Sequence, residues 1–235
     1  MSTLRIALYA DGADVREMAA ARDHGIVQGF TTNPTLMRKS GISDYESFAR
    51  EALSATAGLP ISFEVFADEF DEMERQARHI ATWGEAVFVK IPITNTKGES
   101  SIPLIARLSK AGVKLNVTAI LTLEQVRDVV EAVDENVPAI VSVFAGRIAD
   151  TGRDPVPLMR EAAAIVSRKP KAQLLWASPR ELLNVMQAEE AGCHIITVTG
   201  DILKKLAMVG KPLEELSLDT VKMFYNDAAA AGFRL

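Results

Sequence analysis

The stretch DEFDEMERQARHIATWGEAVFVKIP, residues 68–92, changes its period halfway along. Its first part sets Phe70, Met73, Ala77, Ile80 and Ala81 on one face at helical spacing. Its last part, AVFVKIP (86–92), is a run of strand-forming residues with one charge in it, Lys90. Strands buried on both faces of a parallel sheet are nearly all apolar. An ammonium group in such a run therefore needs a reason.

Similar short runs recur along the chain. They are RIALYA (5–10), GFTTN (29–33), ISFEVF (61–66), VKLNVTAI (113–120), AIVSVFAG (139–146), AQLLWAS (172–178) and HIITVTG (194–200). With AVFVKIP they make eight, and helical periodicity fills the spaces between. TLEQVRDVVEAV (122–133) opens with Thr122 as an N-cap and Gln125 three residues on, a capping box. SPRELLNVMQAEEAG (178–192) has Leu182, Val185, Met186 and 189–191 on one face, and Gly192 ends it. Eight βα units in 235 residues predict an α/β fold, a closed (β/α)8 TIM barrel. An open doubly wound sheet is the alternative. It would usually begin with a Gly-rich turn, and YADGADVRE (9–17) is not G-x-G-x-x-G. No linker or composition break divides the chain, so one domain over residues 1–235 is expected, with 216–235 as a C-terminal helical extension.

Composition narrows the class. The chain is 48% hydrophobic and 24% charged, a soluble globular balance. A net charge of -5 argues against a general nucleic-acid surface. Cys193 is the only cysteine, which excludes an internal disulfide and a cysteine cluster for metal. His24, His79 and His194 have no metal-ligand spacing, so no metal site is expected. The opening MSTLRIALYADGADVRE does not read as a signal peptide, and no run approaches the roughly 20 apolar residues of a membrane span. A reduced, cytoplasmic protein without membrane contact is expected.

Barrel sites lie at the C-terminal ends of the strands, and side chains alternate in and out. Polar residues collect there. The run ends carry Asp11; Thr31, Thr32 and Asn33; Glu64, on one face with Ser62; Lys90; Asn116 and Thr118; Ser142, with Arg147 just beyond; Ser178, with Arg180 just beyond; and Thr197 and Thr199. Parity points Lys90 into the barrel. Burial disfavours a charged amine, and a neutral amine attacks a carbonyl to form a Schiff base. The competing reading has Lys90 reaching out of the barrel mouth or pairing with Glu64 structurally. Glu64 and Asp11 are candidate proton carriers. Asp11 is otherwise a turn or cap residue, although Asp14, with Glu17 three residues on, is the better cap. Arg147, Ser178 and Arg180 suit a phosphate. Alternatively Arg147 pairs with Asp150 or Asp154.

Five motifs in order resemble one family. FTTNPTL (30–36), FVKIPIT (88–94), LNVTAI (115–120), SVFAGRIADTGRD (142–154) and WASPRE (176–181) resemble the transaldolases, in particular the short bacterial group that includes the fructose-6-phosphate aldolases. The resemblance implies a (β/α)8 barrel with Lys90 as the Schiff-base lysine and no cofactor. It implies Asp11 as acid and base on the C4 hydroxyl of a ketose. Glu64 and Thr118 would hold a catalytic water. Asn33, Asn116 and Ser142 would bind the dihydroxyacetone part, and Thr31 would line the pocket. Arg147, Ser178 and Arg180 would take the sugar phosphate. The activity implied is transfer of a dihydroxyacetone unit between sugar phosphates. The alternatives are an aldolase releasing free dihydroxyacetone and a binder that has lost the chemistry. The aldolases typically carry Gln at the position of Glu64 and Tyr at that of Phe144, and lack the Asn of the NVT motif, here Asn116. All three positions thus fall on the transferase side. Gly12 stands where Ser or Thr is common, which could loosen the loop holding Asp11, and Val143 stands where longer transaldolases have Pro. The resemblance also implies a homo-oligomer, a pentamer or decamer, with the C-terminal helix reaching a neighbour. Leu216, Leu218, Val221, Phe224 and Tyr225 would supply its apolar stripe.

Overall fold

The structure, a computed structural model, describes residues 4–234. Eight parallel strands follow one another around a closed barrel. They are β1 (Ala7–Asp11), β2 (Gly29–Thr31), β3 (Ile61–Glu64), β4 (Val87–Pro92), β5 (Leu115–Ile120), β6 (Ala139–Val143), β7 (Ala172–Trp176) and β8 (Ile195–Val198). The last strand pairs with the first, Ala7 opposite Ile195 and Tyr9 opposite Thr197. That pairing establishes the expected TIM barrel and removes the open sheet. The α-helices are α1 (Val15–Asp23), α2 (Pro34–Lys39), α3 (Tyr45–Thr56), α4 (Phe70–Ala81), α5 (Ile102–Lys110) and α6 (Leu123–Ala132). They continue with α7 (Ala145–Ala149), α8 (Val156–Val166), α9 (Leu183–Glu190), α10 (Gly200–Lys205) and α11 (Leu213–Ala230).

Strand alternation divides the apolar residues into two cores. Outward residues such as Phe63, Val89, Leu115, Val141 and Trp176 pack under the helices, against Met73, Ile105, Val126 and Met159. Inward residues Tyr9, Phe88, Ile140, Leu175 and Ile195 form a separate plug inside the barrel. Tyr9 lies across Gly29, where an added Cβ would sit 2.4 Å from the ring. A side chain at residue 29 would push the ring out of the plug, so the floor of the barrel depends on that glycine.

Most strands stop earlier than their apolar runs suggest, and local chemistry explains several cases. The run 29–33 ends as strand at Thr31 because Asn33 caps α2 through Leu36 N (2.9 Å) and Pro34 starts the helix. The run 61–66 ends at Glu64, after which Phe66 N and Ala67 N donate to Gln76 Oε1. The run 139–146 gives way to the short helix α7, which its residues did not signal. The helical pattern of 178–192 begins only at Leu183, because Asn184 Oδ1 takes the N–H groups of Arg180 and Glu181 in the preceding turn. The capping box at Thr122 and Gln125 forms as expected.

The C-terminal helix starts at Leu213, three residues before the expected boundary, directly after Pro212. It buries no side chain in this chain. Leu218, Val221, Phe224 and Tyr225 of the expected stripe are exposed, and Leu216 is partly covered. A helix without core contacts adds little to the barrel beneath it. A chain ending at residue 212 is therefore expected to keep the barrel. Its circular dichroism should differ only by the signal of one 18-residue helix, and a larger loss would show that α11 supports the fold.

Candidate active site

The polar layer sits directly on the apolar plug. Asp11 is two residues beyond Tyr9, Lys90 two beyond Phe88, Ser142 two beyond Ile140, and Thr197 two beyond Ile195. Above them opens a cavity of about 510 Å³. Eleven of the twelve residues nominated from the sequence line it: Asp11, Thr31, Asn33, Glu64, Lys90, Asn116, Thr118, Ser142, Phe144, Arg147 and Ser178. Arg180 lies outside the lining.

Lys90 and Glu64 are register partners on β4 and β3. The ammonium donates to the carbonyl of Thr32 and lies 3.3 Å from Glu64 Oε1. Their side chains are only 13% and 9% exposed, so Lys90 does not reach out of the mouth and the pairing reading is the one the geometry contains. Thr32 Oγ1 is 2.7 Å from Glu64 Oε2 and 2.9 Å from the carbonyl of Ser62, and its one proton serves one of them at a time. Burial pushes the Glu64 carboxyl above its usual range, against the opposing pull of Lys90 and Thr32. Thr32 was visible in the sequence as a polar strand end without a role. Tyr45, whose hydroxyl meets the backbone of Glu64, gave no signal there, because it reaches in from the first turn of α3.

Asp11 belongs to a second group. Its Oδ1 accepts from Thr31 Oγ1 at 2.7 Å and its Oδ2 from Asn33 Nδ2 at 3.0 Å. Thr31 Oγ1 also lies 2.6 Å from Thr197 Oγ1, which orders the sequence Thr197 to Thr31 to Asp11. The cap of α1 is Asp14, holding Arg16 N and Glu17 N, so Asp11 is not spent as a cap. A Cβ at Gly12 would meet nothing within 4 Å. The hydrogen bonds that fix the Asp11 carboxylate come from Thr31 and Asn33 rather than from that loop. Burial pushes the Asp11 carboxyl up, opposed by Lys90 and by those two hydrogen bonds.

A third group crosses the floor of the site. Ser142 Oγ donates to Asn116 Oδ1 at 2.6 Å, and Asn116 Nδ2 donates to Ser62 Oγ at 3.0 Å. All three are buried. Thr118 follows on β5, with Oγ1 at 3.5 Å from the carbonyl of Ile91, at the limit of a hydrogen bond. The register of β5 against β6 shifts between Val117 and Ile120, a span that includes Thr118 and in which Ala119 takes a left-handed φ of 60°.

The cationic corner departs from simple parity. Ala177 is the inward residue, yet Ser178 also lines the cavity, because its φ of 57° turns the chain back toward the mouth. Its carbonyl lies where a Cβ on residue 146 would come within 1.6 Å of the oxygen, so only glycine fits there. Arg147 sits over the Phe144 ring, 5.9 Å from its centroid. Among the described residues Arg147 makes no ion pair. Asp150 instead takes Arg180, through Nε at 2.9 Å and through Nη2. Also among the described residues, no group of three or more His, Cys, Asp or Glu could hold a metal ion.

Residues 8–235 match the family described as Transaldolase/Fructose-6-phosphate aldolase. The chain belongs to this family. A "Probable transaldolase" of Dehalococcoides mccartyi is 34% identical over 209 residues, covering 88% of this chain and 92% of the relative. A "Probable transaldolase 2" of Listeria monocytogenes is 35% identical over 199 residues, covering 84% and 87%. Among solved structures, a "putative lyase/mutase" of Burkholderia cenocepacia superposes with a TM-score of 0.63 at 13% identity, covering 99% of this chain and 86% of that one. At that identity the likeness concerns the barrel alone.

The raised Asp11 carboxyl has a consequence for stability within this transaldolase-family site. A carboxyl whose folded pKa lies above its unfolded value contributes stability below the unfolded pKa and loses it as pH rises through the folded one. Asp11→Asn removes that slope. The stability of the variant relative to the natural chain is expected to rise from pH 4 to pH 7 in urea titrations. A difference that stays flat would show that Asp11 ionises at no cost.

Proposed function

We propose that the chain is a transaldolase that moves a dihydroxyacetone unit from a ketose phosphate, fructose 6-phosphate or sedoheptulose 7-phosphate, to an aldose phosphate through a Schiff base on Lys90. The observation that carries the reading is the amine of Lys90 inside the cavity, 3.3 Å from Glu64, with Asp11 lining the same cavity. The raised proton affinity of Glu64 suits it to take a proton from the ammonium, which frees the amine to attack.

The steps then balance on these groups. The Lys90 nitrogen adds to the C2 carbonyl of the ketose, and the resulting hydroxyl leaves as water with a proton from Glu64, passed by a water that Glu64 and Thr118 hold. The Asp11 carboxylate removes the C4 hydroxyl proton, the C3–C4 bond breaks, and its electron pair moves into the iminium to give an enamine. The departing aldose phosphate makes way for the acceptor aldehyde. The enamine carbon attacks the acceptor carbonyl, Asp11 returns its proton to the new C4 oxygen, and water releases the product from Lys90. The iminium accepts the electron pair itself, so the proposal calls on no cofactor.

Asn33, Asn116 and Ser142 are assigned to the hydroxyl and carbonyl groups of the dihydroxyacetone unit, with Thr31 and Phe144 shaping the pocket. Arg147, Ser178 and Arg180 are assigned to the phosphate. Glu64, Phe144 and Asn116 favour transfer over release of free dihydroxyacetone. Coupled assays with and without erythrose 4-phosphate separate the two, and rapid cleavage without acceptor would favour the aldolase. Borohydride with fructose 6-phosphate should trap one adduct on Lys90, read by mass spectrometry. Lys90→Met should abolish both adduct and turnover with the fold intact. An adduct on another lysine, or none, defeats the mechanism.

Arg180 enters this assignment with its guanidinium already occupied. Asp150 presents the same two-oxygen face to it that a phosphate would, so substrate must displace Asp150. The pair is about half exposed, which keeps the exchange inexpensive. Asp150→Asn is expected to lower KM for phosphorylated substrates roughly two- to fivefold, the range of a surface pair. Reactions of unphosphorylated analogues should stay unchanged, and an equal effect on both would remove Arg180 from the phosphate site.

The exposed stripe of α11 supports assembly as a homo-oligomer, a pentamer or decamer on the family's pattern. Light scattering on the chain ending at residue 212 should give a lower multiple of the protomer mass than the full chain does. An unchanged mass per particle, corrected for the deletion, removes α11 from the interface. No helix of the described residues is long and apolar enough to cross a membrane, and a cytoplasmic location accords with that.

A further inference from the structure

The backbone of Glu64 is paired in an unusual way. In a parallel sheet, the N–H and C=O of alternate residues turn to alternate neighbours. Val65 N turns to β4, donating to Lys90 O at 3.2 Å, and Ser62 O turns to β2, accepting from Thr32 N at 3.2 Å. Glu64 shares the parity of Ser62 and so turns toward β2. But β2 ends at Thr31, and by Asn33 the chain is capping α2. A gap in the ladder therefore opens beside the Glu64 carboxylate, which lies 3.3 Å from Lys90.

The Tyr45 hydroxyl fills that gap. It accepts from Glu64 N at 2.9 Å and donates to Glu64 O at 3.2 Å, taking both backbone groups as a strand residue would. The ring is held in turn by an aromatic cluster: Phe66 at 4.6 Å between centroids, Trp83 at 5.4 Å and Phe63 at 6.1 Å. Burial and then the charge of Glu64 push the phenol up, so it remains a hydroxyl at neutral pH. Neither α3 nor Tyr45 lines the cavity.

We propose that Tyr45 is a positioning residue: its hydroxyl replaces the missing strand at Glu64 and thereby holds the Glu64 carboxylate within reach of Lys90. The functional part rests on the transaldolase reading; the structural part does not. The titratable groups that face Glu64 are Lys90 from β4, Tyr45 from α3 and, in the same cavity, Asp11 from β1. A hydroxyl that anchors the Glu64 backbone keeps its carboxyl deep. Releasing it lets water approach, and the carboxyl returns toward its ordinary range.

The test uses the full chain, Tyr45→Phe, and Phe63→Leu as a control that loosens the same cluster and keeps the hydroxyl. Carbon-13 NMR follows the Glu64 carboxyl, identified by its loss in Glu64→Gln. Tyr45→Phe is expected to shift its titration downward, and Phe63→Leu to leave it in place. No shift in Tyr45→Phe, or an equal shift in both, overturns the proposal. In the transfer assay, Tyr45→Phe should lower kcat roughly tenfold or more, as misplacing a reacting group does, with KM within about twofold. It should add no further loss in the Glu64→Gln background. An equal loss in both backgrounds overturns the functional part. If borohydride traps nothing on Lys90, the transaldolase reading fails, while the NMR titration still decides the role of Tyr45. Should Tyr45→Phe not fold, amide exchange in the natural chain decides: Glu64 is expected in the slowest class, and exchange at loop rates removes the clamp.

Discussion

A lysine and a glutamate, both almost fully withdrawn from water at the mouth of a barrel, set the terms for the residues around them. Taking two charges out of water costs several kcal/mol apiece, and their mutual attraction returns it only where further hydrogen bonds complete the pair. The surroundings of Lys90 and Glu64 meet that requirement. The ammonium donates to the Thr32 carbonyl, the second carboxylate oxygen faces the Thr32 hydroxyl, and Tyr45 holds the backbone beneath the carboxylate. A pair so completed is stable enough to persist. The burial that strains it also raises the proton affinity of Glu64. On the proposed mechanism, one proton passed from Lys90 to Glu64 turns this ion pair into a nucleophile beside an acid.

The barrel makes this possible through alternation alone. On β1, β4, β6 and β8 an inward plug residue is followed two residues further on by a polar one of the layer above. Phe88 lies below Lys90, Tyr9 below Asp11, Ile140 below Ser142. The plug keeps water from entering the site from beneath, and the cavity opens only at the strand ends. Polar side chains in the upper layer find one another across strands, since residues paired in register sit side by side: Glu64 beside Lys90, Lys90 beside Asn116. Three hydrogen-bonded groups result, around Glu64, around Asp11 and around Asn116. Each leaves some polar atoms facing the cavity.

This much was legible in the residues because period-two alternation and polar strand ends are local signals. They placed Lys90, Glu64, Asp11, Asn116 and Ser142 at the cavity without any knowledge of how the strands pair. What escaped was set by contacts distant in sequence or by broken regularity. Tyr45 meets Glu64 across 19 residues and from a helix, so no strand pattern marks it. Ser178 was legible as a polar run end, but not the left-handed φ that turns it to the cavity, nor the need for Gly146 against its carbonyl. The partner of Asp150 stayed open in the sequence for a similar reason. Arg147 and Asp150 are neighbours in sequence, but the fold brings Arg180 to Asp150 from the far end of β7 and turns Arg147 over Phe144.

The same reasoning explains why a shared barrel says so little about chemistry here. A protein of 13% identity and a different description superposes on 99% of this chain, because the plug and the helix-facing shell need only be apolar and of the right volume. Those two layers fix the shape. The upper layer has no such freedom in the other direction: exchanging Glu64 for an apolar residue would strand a buried ammonium, and exchanging Asn116 would leave Ser142 and Ser62 without their shared partner. Its residues depend on one another more than on the fold. Five sequence motifs in order at the strand ends therefore carry more about function than the superposition of the whole barrel, since each brings one member of a mutually dependent set.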